Sequence, residues 1–171
     1  MMPLHYDDVE SDLTERVDAV HRLLRSRHWT IATAESMTGG LLAGALISVP
    51  GASAVVKGGL VAYSDQLKTS LLGIDQALLD EQGPVTAAVA EQMALGASEL
   101  LGADVVVSTT GAAGPEYLAG TKPGSSYVAV KLPGVEVAVR AVRLKGDRQQ
   151  VRVRTVARAL ELVEASLRQA V

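Results

Sequence analysis

The residues with chemical capacity in this 171-residue chain fall into four short segments, each where an apolar run gives way to polar or glycine-rich sequence. The first is Ala34-Glu35-Ser36-Met37-Thr38-Gly39-Gly40. With a strand before it and a helix after it, its hydroxyls and backbone amides collect at a helix N-terminus, where an anion is stabilised. A serine or threonine in front of a helix is equally an ordinary N-cap, so this segment alone does not separate a phosphate cradle from a cap. The second is Tyr63-Ser64-Asp65-Gln66-Leu67-Lys68. Only five of the 16 Lys and Arg residues are lysine, and Lys68 is the one beside a serine-rich turn. A lysine in a partly desolvated cleft gives up its proton more readily and can serve as the base for a serine hydroxyl. The competing reading is a solvated lysine on a helix face.

The third segment, Thr109-Thr110-Gly111-Ala112-Ala113-Gly114-Pro115, has small side chains that let a ligand approach the backbone at a strand end, where open α/β sheets bind ligands. A merely tight turn has the same composition. In the fourth, Gly146-Asp147-Arg148, Asp147 reads most simply as a helix cap. Arg148 in the first turn opposes the helix dipole, which points to an anionic partner.

Other chemistries lack their residues. The chain has no Cys, and His5, His21 and His28 all precede the first predicted strand, so neither a His-centred triad nor a metal site is expected. These histidines read as solvated or capping. No Gly-x-Gly-x-x-Gly follows a strand, and no Gly-x-x-x-x-Gly-Lys-Ser/Thr occurs. A net charge of -3 and five aromatic residues argue against nucleic acid as a partner. The acidic start is no secretory signal, and Leu41 to Val49 and Gly58 to Tyr63 are too short to span a bilayer. A cytoplasmic protein without cofactor, metal or membrane contact is expected.

The elements that position the four segments follow from periodicity and punctuation. Val17, Val20, Leu23 and Leu24 predict an amphipathic helix over Asp8 to Ser26, followed by a strand over Trp29 to Thr33. Gly39 and Gly40 open a small-residue helix that Pro50-Gly51 stops. Val55 to Tyr63 reads as a buried strand, with Ser64 or Asp65 capping a helix through Leu72. A brief helix carries Leu78 and Leu79, and Thr86 caps the helix that runs to Leu101. Val105 to Thr109 is a strand of nearly pure β preference, and a long loop, Gly111 to Gly124, follows it. Pro133-Gly134 joins Tyr127 to Leu132 and Val135 to Arg143 as a hairpin, and Asp147 with Gln150 forms a capping box for the last helix. This order predicts an α/β fold with a mixed, mainly parallel sheet in one domain over 1–171.

Taken in order from about Ile31 to Leu162, these segments resemble the CinA C-terminal domain family. The resemblance rests on the segments above together with Val49-Pro50-Gly51-Ala52-Ser53, Gly83-Pro84-Val85-Thr86 and Lys122-Pro123. It implies a stand-alone, three-layer α/β/α sandwich, expected as a homo-oligomer, that hydrolyses the carboxamide of nicotinamide mononucleotide, a pyridine nucleotide, to nicotinate mononucleotide and ammonia. Ser36 would be the nucleophile, Lys68 its base and Tyr63 a supporting hydroxyl. Glu35, Thr38, Gly39, Gly40, Thr110, Gly111 and Arg148 would hold substrate, with amides near Gly39 and Gly40 stabilising the oxyanion. Two alternatives stand beside it, a catalytically degenerate nucleotide-binding sensor or partner domain and a metal-dependent phosphate-ester hydrolase. The chain departs from the family pattern at Met37, expected to crowd the pocket where a small residue is usual, and over Glu116 to Ser126.

Overall fold

Val105, Val106 and Val107 are consecutive and all fully buried, which requires a strand covered on both faces. The computed structural model, which describes residues 6–170 and side chains from residue 12, supplies that cover. Its elements run α1 (Tyr6–Arg27), β1 (Ile31–Glu35), α2 (Leu41–Ile47), a 3-10 turn (Ala52–Ala54), β2 (Val56–Val61), α3 (Asp65–Leu72), α4 (Gln76–Gln82), α5 (Ala87–Leu101), β3 (Val105–Ala112), β4 (Ser125–Lys131), β5 (Ala138–Arg143) and α6 (Arg148–Gln169). The sheet order is β2-β1-β3-β4-β5. It is parallel from β2 through β3 and antiparallel from β3 through β5, so four of the five strands point one way.

Alternate strand residues feed two cores. Ile31, Val105, Val107, Val128 and Val130 face α1, α2 and α6 through Val17, Leu24, Leu42, Leu46, Val156 and Leu160. Ala32, Ala34, Val106 and Ala129 face the α3 to α5 layer through Leu72, Leu79, Ala90, Met93 and Ala97. The result is the three-layer α/β/α sandwich that the resemblance implies. The second layer packs close because its contacts are small. A Cβ built on Gly96 of α5 would lie 1.9 Å from the Leu72 carbonyl oxygen, so only glycine lets α5 touch the end of α3.

Three expectations are corrected. The β2 segment, read as buried, is an edge strand paired only with β1, and its residues alternate between half-buried and exposed. The first strand begins at Ile31 rather than Trp29, because Thr30 is tied through its amide and hydroxyl (2.8 and 2.7 Å) to the Asp104 carboxylate and enters no strand. Those bonds, the hydroxyl's first, hold the Asp104 carboxyl below its usual range. His21, read as solvated or capping, is fully buried, and neither ring nitrogen makes a hydrogen bond of ordinary geometry. Burial foremost, then the nearby Arg25, pushes its imidazole below its ordinary pKa, while Asp18 and a weak engagement of the Leu46 carbonyl oppose this. His28 is exposed and ends α1 with φ 56°, and His5 lies outside the described residues. No helix among the described residues is long and apolar enough to cross a membrane.

Candidate active site

The chain leaves β1 for β2 on one side and returns to β3 on the other, so the carboxyl ends of β1 and β3 border a crevice of the kind where open α/β sheets bind ligands. Ser36 stands directly after β1 and is 8% exposed. Its amide donates to the Thr109 carbonyl (2.9 Å), which extends the β1–β3 ladder into the turn. Gly39 and Gly40 then take φ values of 59° and 92°, left-handed backbone that a Cβ would strain, and the chain drops into α2.

Glu35 occupies the anion position at the start of α2. Its carboxylate is fully buried and accepts the amides of Gly40 (3.0 Å), Leu42 (3.1 Å) and Ala43 (2.8 Å), plus the Thr33 hydroxyl (3.1 Å). The helix has no other side-chain cap. The expected anion cradle is therefore filled by the protein's own carboxylate, and this corrects four assignments. Glu35 latches the turn rather than holding substrate. The Gly40 amide is taken by Glu35, and the Gly39 amide donates to the Ser36 carbonyl (3.1 Å), so neither is free for an oxyanion. Thr38 is buried, its hydroxyl 2.7 Å from that of Thr109. None of the four lines the cleft.

The remaining predicted residues do converge. Ser36, Tyr63, Lys68, Thr110, Gly111 and Arg148 all line one cleft of about 620 Å³. Ser64 caps α3 by accepting the Leu67 amide (3.2 Å), which starts the helix one turn before Lys68. Lys68 is only 2% exposed, and its ammonium pairs with Asp65 at 2.9 Å, a carboxylate that is itself half-exposed. Among the described residues Asp65 is the only side chain that Lys68 hydrogen-bonds, so Lys68 and Ser36 share a cleft without sharing a hydrogen bond. The Thr110 hydroxyl is spent on the Pro84 carbonyl (2.6 Å), which fixes the segment ahead of α5 against the end of β3. A Cβ on Gly111 would come within 2.5 Å of both Met37 Sδ and Ser126 Cβ.

Arg148 follows the Asp147 cap, whose capping box with Gln150 is formed as predicted. Its guanidinium donates to the Gly114 carbonyl (2.8 Å) and to the Tyr63 hydroxyl (2.9 Å), and no carboxylate among the described residues pairs with it. An unmatched cation thus stands in the cleft wall. Met37 borders the cleft yet is 4% exposed and packs with Ala113 and Val151, so its thioether fills core space instead of crowding the opening.

Sequence reasoning missed several contributors. Asp65 was legible as the i-3 neighbour of Lys68 on one helix face. Glu116, Tyr117 and Leu118 complete the cleft rim from the long loop over Gly111 to Gly124, whose length was the sequence signal, although its lack of periodicity singled out no residue in it. Arg152 lies one turn beyond Arg148 and donates to the Met37 and Thr38 carbonyls.

Comparison with known proteins agrees with this architecture. The family model for the CinA C-terminal domain matches residues 13–167. A CinA-like protein of Frankia casuarinae is 45% identical over 145 residues, covering 85% of this chain and 33% of that protein. A CinA-like protein of Chlorobaculum tepidum is 46% identical over 142 residues, covering 80% and 34%. The chain thus spans about a third of the length of these curated relatives. Among solved structures, the competence damage-inducible protein A of Klebsiella pneumoniae superposes with a TM-score of 0.90 at 31% identity over 93% of this chain and 99% of that one. A competence/damage inducible protein of Agrobacterium tumefaciens gives 0.87 at 35% over 92% and 96%. With the fold, the ordered segments and these matches in agreement, the chain belongs to the CinA C-terminal domain family.

Proposed function

We propose that this protein is an amidohydrolase that converts nicotinamide mononucleotide to nicotinate mononucleotide and ammonia. The observation that carries the reading is the convergence of Ser36, Lys68 and Tyr63 with the unmatched cation Arg148 in one cleft. A pyridine mononucleotide offers a carboxamide for the first three and a phosphate for the fourth, to which a guanidinium binds in a bidentate manner. Ser36 Oγ attacks the carboxamide carbon while Lys68, its ammonium proton given up to solvent as it leaves Asp65, takes the serine proton. For this step Lys68 exchanges Asp65 for Ser36. The tetrahedral oxyanion is received by the amide of Met37, which follows the nucleophile, borders the cleft and has no acceptor among the described residues. The C–N bond breaks as the proton returns to nitrogen and ammonia leaves. Water, its proton taken by Lys68, attacks the acyl-serine ester, whose C–O bond to Ser36 breaks as Lys68 returns the proton to Oγ and nicotinate mononucleotide departs.

The pairing of Lys68 with Asp65 instead of Ser36 favours a second reading, a nucleotide-binding domain without turnover. An ammonia-release assay across pyridine nucleotides and simple amides separates the two. Release from nicotinamide mononucleotide without added metal, lost about 10²- to 10⁴-fold in Lys68→Met, supports the amidase. Tight binding with no ammonia supports the sensor. A folded Lys68→Met that works at the parent rate refutes the Ser-Lys chemistry.

A further inference from the structure

We propose that Arg152 is a positioning residue that holds the nucleophile turn and polarises the amide that receives the oxyanion. The inference rests on the reading of Ser36 as the nucleophile. Arg152 is half-buried on α6 and does not line the cleft. Its Nε donates to the Met37 carbonyl (3.0 Å), its Nη2 to the Thr38 carbonyl (2.8 Å) and its Nη1 to Gln149 Oε1 (2.9 Å). One planar guanidinium thus grips the two peptide units that follow Ser36, a geometry that a fork of donors satisfies and a single ammonium does not. The hand-off is chemical as well as mechanical. The Thr38 carbonyl and the Gly39 N–H belong to one peptide unit, so a charge-assisted bond at the oxygen makes that N–H a stronger donor. The Gly39 N–H in turn donates to the Ser36 carbonyl (3.1 Å), which shares its unit with the Met37 N–H that receives the oxyanion. Arg152 therefore acts on both ends of the turn without touching the ligand.

α6 explains why this residue can set the geometry. Its first turn carries Arg148, bound to Tyr63 and Gly114, and its next turn carries Arg152, bound to the Ser36 turn. Three loops of the cleft are thus referred to one helix whose start is fixed by the capping box. Removing Arg152 leaves Glu35 and Thr109 to hold the turn but frees the Met37 carbonyl, leaves the Thr38 carbonyl with the Leu41 amide alone (3.3 Å) and weakens the relay to the Met37 amide. Displacement of a reacting group by about 1 Å is enough to cost about 10²-fold in rate.

The test compares the parent with Arg152→Ala, Arg152→Lys and the control Arg158→Ala, whose arginine pairs with Glu161 further along α6. In ammonia release, Arg152→Ala should lose about 10²-fold in kcat with KM unchanged, because an oxyanion contact is made only in the transition state. Methylguanidinium should restore part of that loss, Arg152→Lys should recover only part of the rate, and Arg158→Ala should match the parent. An unchanged kcat in folded Arg152→Ala, or in Arg152→Lys should the alanine variant not fold, overturns the proposal. So does a raised KM with kcat unchanged, which would make Arg152 a binding residue. Labelling with phenylmethylsulfonyl fluoride, in which Ser36 Oγ bonds to sulfur as fluoride leaves, is followed by intact mass and needs no substrate. If the parent releases no ammonia the amidase reading fails by itself, and labelling slower in Arg152→Ala than in the parent still sustains the positioning role. Equal labelling, or none in either, overturns it.

Discussion

Replacing Glu35 by glutamine perturbs the turn that carries Ser36 without changing any residue that lines the cleft. The buried carboxylate receives three backbone amides, two on Oε2 and one on Oε1, with the Thr33 hydroxyl also on Oε1. Glutamine keeps the shape but puts an NH₂ where one oxygen stood. Turned to keep Gly40 and Leu42, it sets that NH₂ against the Ala43 N–H, and flipped it strands Gly40 and Leu42 instead. At least one bond to a charged acceptor is lost, worth about 1.5 to 3 kcal/mol, and a buried donor is left unsatisfied at about 1 to 3 kcal/mol. These overlap, so a net loss of about 3 kcal/mol is expected. Glu35→Ala strands all three amides and should cost a large part of the roughly 5 to 15 kcal/mol that holds a domain folded. Urea unfolding followed by far-UV circular dichroism gives the difference from the shift in midpoint at constant slope. Hydrogen exchange at Gly40, Leu42 and Ala43 should accelerate with it. In folded Glu35→Gln the KM should match the parent, since the carboxylate meets no ligand. Stability within about 0.5 kcal/mol of the parent, the range of an uninvolved surface change, would refute the latch. A raised KM at unchanged stability would return Glu35 to the substrate.

Four further outcomes follow from the same geometry. Arg148→Ala should raise the KM for a phosphorylated substrate about ten- to a hundred-fold with little change in kcat, as loss of a charge-assisted bond made equally in ground and transition states requires, and an unchanged KM would remove Arg148 from the phosphate. Met37→Cys, at a residue expected from sequence to crowd the pocket, should instead open a void beside Ala113 and Val151 and lower stability by about 1 to 3 kcal/mol in chemical unfolding, and a gain in activity would show crowding after all. Gly96→Ala should destabilise by about 1 to 3 kcal/mol despite alanine's advantage of about 1 kcal/mol in a helix, because its Cβ meets the Leu72 backbone. It should lower kcat as well, since Leu72 ends the helix that holds Lys68, and an unshifted unfolding midpoint would refute the close contact. His21 has a lowered pKa in the fold, so the unfolded chain takes up its proton first and stability falls as pH drops below about 6.5. Asp104, lowered from its usual carboxylate range, adds a second loss below about 3.9. A thermal midpoint that does not fall between pH 7 and 5, or falls equally in His21→Leu, would refute the first.

Most helix limits were legible because their stop and start signals are local. Ser64, Thr86 and Asp147 cap as read, since a short side-chain oxygen reaches an amide two or three residues on whatever the tertiary setting. Burial was legible where β preference was unbroken, as in Val105 to Thr109, and failed for Val55 to Tyr63, which sets Lys57, Gly58 and Gly59 among its apolar residues. What distinguishes the two is strand order, because β3 has neighbours on both sides and β2 on one. His21 failed for a related reason. Its neighbours Val20 and Leu24 were read as the apolar stripe, and the packing of α1 onto α2 widened that stripe by one residue.

At the site, the sequence by itself determined which segments stand at the carboxyl ends of strands. The alternation of strands and helices puts the segments of Ser36, Tyr63, Thr110 and Arg148 after strand ends, which such a sheet gathers at one edge, and the resemblance singled out Ser36, Tyr63, Lys68, Thr110, Gly111 and Arg148 within them. Only the tertiary structure decided how the groups pair. A segment reading Glu-Ser-Met-Thr-Gly-Gly before a helix offers its amides to any anion, and nothing in the order of residues says whether that anion is a ligand or the adjacent Glu35. The choice was made by the turn at Gly39 and Gly40, which folds the carboxylate of Glu35 back onto α2, and by Arg152, 115 residues from Met37 in the chain, which binds the Met37 and Thr38 carbonyls. Hydrogen bonds act over about 3 Å, and distances of that order between remote segments exist only after the layers have packed.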